Sequence, residues 1–193
     1  NGIIKKTKID EFANIRKTGL VAINLEKNDI LQWASFSSGD DYIILVTQNG
    51  QSICMSEKDI RAMGRATSGV CGIKLNKDDS VIGLNVIPAK LDKNTSTLLT
   101  VSKMGYGKRT LIKEYRIQKR GGTGIKTFKV TDKTRKLVAS RLIIDQTTLI
   151  TISKKGLILK TELGDVSIQG RTTQGVKLMR LDPGDEISEI EVI

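Results

Sequence analysis

The side chains best able to do chemistry in this sequence are cations set among glycines. Gln118-Lys119-Arg120-Gly121-Gly122-Thr123-Gly124 lies among Lys103, Lys108, Arg109, Lys113, Arg116, Lys126 and Lys129. Glycine lets a backbone come close to a ligand, and the planar guanidinium fork matches phosphate oxygens. The chemistry this pattern supports is recognition of phosphate, and its density suits a polymer of phosphates better than one small ligand. Arginine and glycine recur together at Arg65…Gly69, at Arg171…Gly175 and, one residue shorter, at Arg16-Lys17-Thr18-Gly19.

Other chemistries lack their residues. There is no histidine, which removes Ser-His-Asp and Cys-His catalysis and histidine metal ligation. Cys54 and Cys71 are too few for a disulfide framework or a metal set, and read as two buried thiols in a reducing cytosol. Carboxylates gather in turns, at Asp78-Asp79 and at Asp182 and Asp185, with no partner base. The Gly121–Gly124 run leads into Ile-Lys-Thr-Phe-Lys-Val, a strand pattern, where a nucleotide-binding loop would open a helix. With three Phe, three Tyr and one Trp there is no stacking platform for single strands. Tyr106 and Tyr115 flank the basic segment, Trp33 reads as core, and contact with a duplex backbone fits better. The longest aliphatic runs, such as Ile43–Val46, fall far short of the about 20 residues of a membrane span. The chain reads as non-catalytic and free of cofactors and metals. It opens at Asn1 rather than Met, as expected of a piece of something longer.

The charge is concentrated. Of a net +11 on 193 residues, segments 1–48, 49–103, 104–154 and 155–193 carry 0, +3, +10 and −2. Nearly all of the excess lies between Lys108 and Arg141. A merely solubilising charge would be spread along the chain, so the concentration points to a polyanion-binding surface.

The elements that must position these cations form an internal repeat. Gly2-Ile-Ile-Lys-Lys-Thr7 resembles Gly105-Tyr-Gly-Lys-Arg-Thr110 and Gly156-Leu-Ile-Leu-Lys-Thr161, and Gly50–Met55 fills the same slot. The second glycine follows 19 residues later in three copies (Gly69, Gly124, Gly175) and 17 later in the first (Gly19). Each repeat then offers two more apolar stretches. One set is Ile30–Phe36, Val81–Ile87, Leu137–Ile144 and Ile187–Ile193, and the other is Tyr42–Thr47, Leu98–Ser102 and Leu149–Ser153. These short, β-branched runs between turn residues predict an all-β fold, with a short helix over Ser56–Met63 and little other helix. Four strands in about fifty residues is the size of a propeller blade. The expected architecture is a propeller-like disc of four-stranded blades cut at 1-48, 49-103, 104-154 and 155-193. The anchor arginines would line its outer rim. Two readings of such an arginine stand side by side: an ion pair to the next blade, or a contact to phosphate.

Three segments carry a family resemblance: Arg61–Leu75, Met104–Thr110 with Glu114-Tyr115, and Gly170–Val176. Over essentially its whole length the chain resembles the C-terminal domain of bacterial DNA gyrase A. The resemblance implies a β-pinwheel, a disc whose blades exchange strands and whose basic rim wraps double-stranded DNA. It implies the rest of gyrase A, together with gyrase B, as partners, and a cytoplasmic, nucleoid-associated setting. In that family the wrap feeds a strand-passage core that introduces negative supercoils with ATP. The family box reads Gln-Arg-Arg-Gly-Gly-Lys-Gly. Gln118, Arg120, Gly121, Gly122 and Gly124 match it, Lys119 keeps a charge, and Thr123 loses one.

The DNA-binding set implied by box and charge is Gln118, Lys119, Arg120, Gly121, Gly122, Gly124, Lys126, Lys108, Arg109, Lys113, Arg116, Arg65, Arg171, Arg16 and Lys17. The family disc usually has six blades with its box in the first. Here there are four repeats with a box in the third, which reads as a degenerate copy of a box lying upstream. Such a disc would leave an open strand edge at each end. Two alternatives stand beside this reading. One is the DNA-bending C-terminal domain of topoisomerase IV, carried by its A-type polypeptide, and the other is a propeller that binds a protein partner.

Overall fold

Tyr42–Thr47 is β-branched and aromatic almost throughout, and the glycine that follows turns the chain back on itself. Gly50 has φ +82°, in the left-handed region open to glycine, and its N–H donates to the Thr47 carbonyl at 3.0 Å. Repetition of this hairpin builds the molecule, and the computed structural model describes residues 1–193. The strands are β1 (Ile3–Ile4), β2 (Tyr42–Thr47), β3 (Gln51–Ser56), β4 (Val70–Cys71), β5 (Val81–Ile87), β6 (Thr97–Ser102) and β7 (Tyr106–Leu111). There follow β8 (Ile125–Lys126), β9 (Leu137–Ile143), β10 (Thr148–Ser153), β11 (Ile158–Glu162), β12 (Val176–Lys177) and β13 (Ile187–Val192).

Two sheets have four strands, ordered β5-β2-β3-β8 and β12-β7-β6-β9. In each, the short edge strand belongs to the following repeat. β8 joins β3 with Gln51 opposite Lys126, and β12 joins β7 with Tyr106 opposite Lys177. β4 joins β1 the same way, with Ile3 opposite Cys71. The last sheet has three strands, β11-β10-β13. At the other edge, β5 packs on β9 and β9 on β13, so these strands surround a common axis and the exchanged strands lie at the periphery. The architecture is the expected strand-exchanging, propeller-like one.

Successive residues of one strand serve opposite faces. Ile44 and Val46 enter one core with Leu98, Phe128 and Leu137, while Ile43 and Leu45 enter another with Ile4, Ile53 and Ile73. Leu99 and Val101 enter a third with Leu149 and Ile190. The sheets therefore stack in chain order, from β1/β4 at one end to β11-β10-β13 at the other.

Several expectations change. The cuts at 48/49, 103/104 and 154/155 fall inside hairpin turns, so the sheets group the chain out of phase with those boundaries. The helix expected over Ser56–Met63 is a single 3-10 turn, Glu57–Asp59. Ile30–Phe36 is not a strand. Its counterparts β5, β9 and β13 each pair with a long strand, but no such strand lies beside residues 30–36, and Phe36 is 83% exposed. Trp33 is half-buried rather than core, and Cys71 is exposed while Cys54 is buried. No helix is long and apolar enough to cross a membrane.

Candidate nucleic-acid interface

The periphery is built from anchor loops that dock on their neighbours. In the third repeat the Gln118 N–H donates to the Cys54 carbonyl at 2.7 Å and the Gly121 N–H to that of Gly72 at 2.7 Å. Gly124 has φ +76°, and a Cβ there would land on the Ser52 carbonyl, so only glycine lets β8 lie against β3. Arg120 donates from Nε to the Asp59 carbonyl at 3.1 Å and from Nη1 to that of Cys71 at 3.3 Å. Arg171 repeats the second contact one blade on, from Nη1 to the Lys126 carbonyl at 2.9 Å.

The loops are also tied to one another. Asn24 donates its N–H to the Thr67 carbonyl at 3.1 Å, Lys74 to that of Gly122 at 2.9 Å, and Lys129 to that of Thr173 at 2.9 Å. In each pair the donor lies five residues after one anchor glycine and the acceptor two residues after the next anchor arginine. One hydrogen bond, repeated three times, sets the spacing of the loops along the rim. The ion-pair reading of the anchor arginine holds only loosely, since Arg120 and Arg171 grip carbonyls. Arg65 alone approaches a carboxylate, with Nε 3.9 Å from Glu11.

Two expected phosphate contacts are internal. Lys108 is expected on the binding surface, yet its side chain has no solvent exposure. Its Nζ donates to the carbonyls of Gly170 at 2.6 Å and Arg171 at 2.8 Å and to Thr173 Oγ1 at 3.1 Å. It clamps the fourth-repeat loop from beneath, and burial lowers its pKa from 10.5 to about 8. Lys5 does the same in the first pair of repeats, donating to the carbonyls of Arg65 and Ala22. Arg109 is half-buried, with Nε donating to the Val166 carbonyl at 2.9 Å. Beneath the third-repeat loop the matching position is Ile53, whose methyl group would meet a Cβ at Gly122 at 3.7 Å.

The remaining cations face solvent. Arg16, Lys17, Lys113, Arg116, Lys119, Arg120 and Lys126 are exposed, and Gln118, Gly121, Gly122, Gly124, Arg65 and Arg171 are partly exposed. No cation from Lys108 to Arg141 is within 4.0 Å of a carboxylate oxygen. Three further exposed cations stand beside them: Lys74, Lys177 and Arg180. Lys177 Nζ lies 4.4 Å from the ring centroid of Tyr106, which is buried and therefore braces a cation instead of stacking a base. The signal for these residues is their phase: they sit two or five residues after an anchor glycine, as Lys126 and Lys129 do. The arrangement offers an exposed row of unpaired cations with backbone loops in fixed register.

Comparison with known proteins adds to this geometry. The family model described as DNA gyrase C-terminal domain, beta-propeller, matches residues 1–38, 41–88, 96–140 and 147–193. The DNA gyrase A protein of Mycolicibacterium smegmatis is 42% identical over 192 residues, covering 98% of this chain and 22% of that protein. The DNA gyrase A protein of Lawsonia intracellularis is 39% identical over 183 residues, covering 95% of this chain and 22% of that protein. The chain thus spans about a fifth of the length of these relatives. A solved DNA gyrase A C-terminal domain superposes with a TM-score of 0.85 at 28% identity, over 99% of this chain and 62% of that one. The C-terminal domain of a DNA topoisomerase IV gives 0.91 at 20% identity, over 100% and 59%, a likeness of fold alone.

Proposed function

Because the chain belongs to the DNA gyrase C-terminal domain family, we propose that it binds duplex DNA without regard to sequence and bends it along the rim. In this reading the rim supports supercoiling by a type IIA topoisomerase, with the rest of gyrase A, together with gyrase B, as partners. The observation that carries it is the row of unpaired cations on loops whose spacing is set by backbone hydrogen bonds. Most contacts would fall on phosphates, which position a duplex and carry no sequence information. Lys119, Arg120, Lys126 and Lys129 would form the centre of the path, with Lys74 before them and Arg171, Lys177 and Arg180 after.

Bending follows from the same geometry. Cations on successive blades face successive directions around the axis, so a duplex that touches all of them must curve. The contacts would offset an elastic cost of about 1–6 kcal/mol for a bend over 20–30 base pairs. If about six phosphates are neutralised, log K falls against log salt with a slope near roughly −5. A slope near zero would remove the electrostatic mechanism.

The deciding experiment titrates relaxed plasmid with the chain, relaxes it again with a nicking-closing topoisomerase, removes protein and reads the linking number. A positive change is the expected result and means that these repeats wrap DNA. Binding with no change means bending without a wrap, and no binding refutes the reading.

A further inference from the structure

The two ends of the stack carry two halves of one strand-exchange contact. At each internal junction the glycine that closes a hairpin accepts two N–H groups from the exchanged segment. The Gly2 carbonyl accepts from Gly72 at 2.9 Å and Ile73 at 3.2 Å, and that of Gly50 from Thr127 at 2.8 Å and Phe128 at 3.3 Å. The Gly105 carbonyl accepts from Leu178 at 2.8 Å and Met179 at 3.2 Å. A Cβ on Gly2, Gly50 or Gly105 would strike the carbonyl of Ile73, Phe128 or Met179. Gly156 closes the fourth hairpin with φ +87°, yet nothing lies within 4 Å of a Cβ there, and its carbonyl accepts no hydrogen bond. Its strand β11 lies open where β3 and β7 are mostly buried, with Ile158 65% exposed.

The opposite end holds an unused donor. Arg16-Lys17-Thr18-Gly19 leads into Leu20-Val21-Ala22-Ile23, the slot filled elsewhere by Val70, Ile125 and Val176 and the residues after them. Gly19 has φ +78°, like Gly69, Gly124 and Gly175, but nothing lies within 4 Å of a Cβ there. The N–H groups of Ala22 and Ile23 have no partner. Asn24 already makes the loop-to-loop bond that Lys74 and Lys129 make, so the segment is held from its far side as the docked copies are.

We infer that the open edge of β11 is a strand-acceptor site, and that its occupant is the segment Gly19–Leu25 of a second copy of this chain. The internal repeats predict the register, with Leu20 opposite Ile158, Val21 opposite Leu157, and the N–H groups of Ala22 and Ile23 on the Gly156 carbonyl. Donor and acceptor lie on the first and last sheets of the stack, separated by both cores, so one copy does not supply both. The contact is head-to-tail, and copies join in a ring or an open row.

Sedimentation of the full chain without DNA tests this, and its failure would leave the reading of the rim untouched. The wild-type chain should grow from monomer to dimer and larger species as concentration rises. Gly19→Ala and Gly156→Ala each put a Cβ where the docked counterparts meet a carbonyl, while in the free chain each meets open space. Each variant alone should stay monomeric, with association weakened at least about tenfold. Mixed in equal amounts, they should form a dimer and stop there, because each retains the half that the other lacks. Far-UV circular dichroism and a melting curve check that both variants fold. If either fails that check, a peptide of residues 16–27 should instead return the wild-type chain to single copies. A wild-type chain that stays monomeric at all concentrations overturns the inference, as do mixed variants that remain apart while folded.

Discussion

The anchor loops of the first and third repeats share an arginine, a neighbouring lysine and a glycine at positive φ, and they live in different surroundings. Arg16 and Lys17 are exposed and the loop is held by one internal turn, Gly19 N–H to the Arg16 carbonyl at 2.9 Å. The Gln118–Gly124 loop is pinned through Cys54, Gly72, Ser52, Asp59 and Cys71. The motif therefore does not order itself, and a neighbouring blade must receive it. A loop already ordered loses less entropy on gripping a phosphate, so the third loop should bind better than its charge alone implies.

The sharpest test of that contrast is at the glycines. Gly124→Ala forces both an unfavourable φ and a collision with the Ser52 carbonyl, and should cost about 3 kcal/mol in urea unfolding. Gly19→Ala, with only the φ to bear, should cost about 1 kcal/mol. Equal losses would mean that docking adds nothing to the loop. Next comes charge. Reversing Lys119 and Arg120 to Glu should weaken duplex binding roughly thirtyfold at fixed moderate salt, and reversing Arg16 and Lys17 less than about fivefold. Fluorescence titration that gave equal losses would break the link between docking and affinity.

The clamp beneath the fourth-repeat loop gives a third test. Lys108 titrates at about 8 when folded, against an ordinary 10.5, so above pH 8 the unfolded chain holds more protons than the native one. Stability must then rise with pH, by up to about 1 kcal/mol between pH 8 and 9. Burial raises the Cys54 thiol from 9.0 to about 11 and the Tyr115 phenol from 10.0 to about 12. Those two groups lose stability as pH rises above their ordinary values, so the gain should flatten beyond pH 9. Lys108→Met should abolish the rise, and a rise that persists would place its cause elsewhere. The smallest effect is expected on affinity, where Lys108→Met should loosen the Arg171 loop and weaken duplex binding about threefold.

Most of the strand plan is legible because the runs are short, β-branched and bounded by glycine. Tyr42–Thr47 and Val81–Ile87 match the structure residue for residue. Ile30–Phe36 carries the same composition and is not a strand, since a strand exists only when a ladder partner lies beside it. The site is legible in outline, from the concentration of charge and the recurring Arg and Gly. What misleads is position within the basic cluster: Lys108 and Lys119 are near neighbours in sequence, yet one is a buried clamp and the other is exposed. The exposed trio Lys74, Lys177 and Arg180 escapes a reading by charge density because it lies outside that cluster.

The sequence by itself determined the repeat, the all-β class, the hairpin glycines and the basic quarter of the chain, because these depend on residue type and local spacing. Only the tertiary structure decided which strand edges are occupied, which cations meet solvent and which anchor loops are ordered. Those outcomes depend on what the neighbouring blade presents, a lysine at 108 or an isoleucine at 53, a strand beside Gly50 or open space beside Gly156. Each is a contact between residues far apart in the chain, and no local pattern records it.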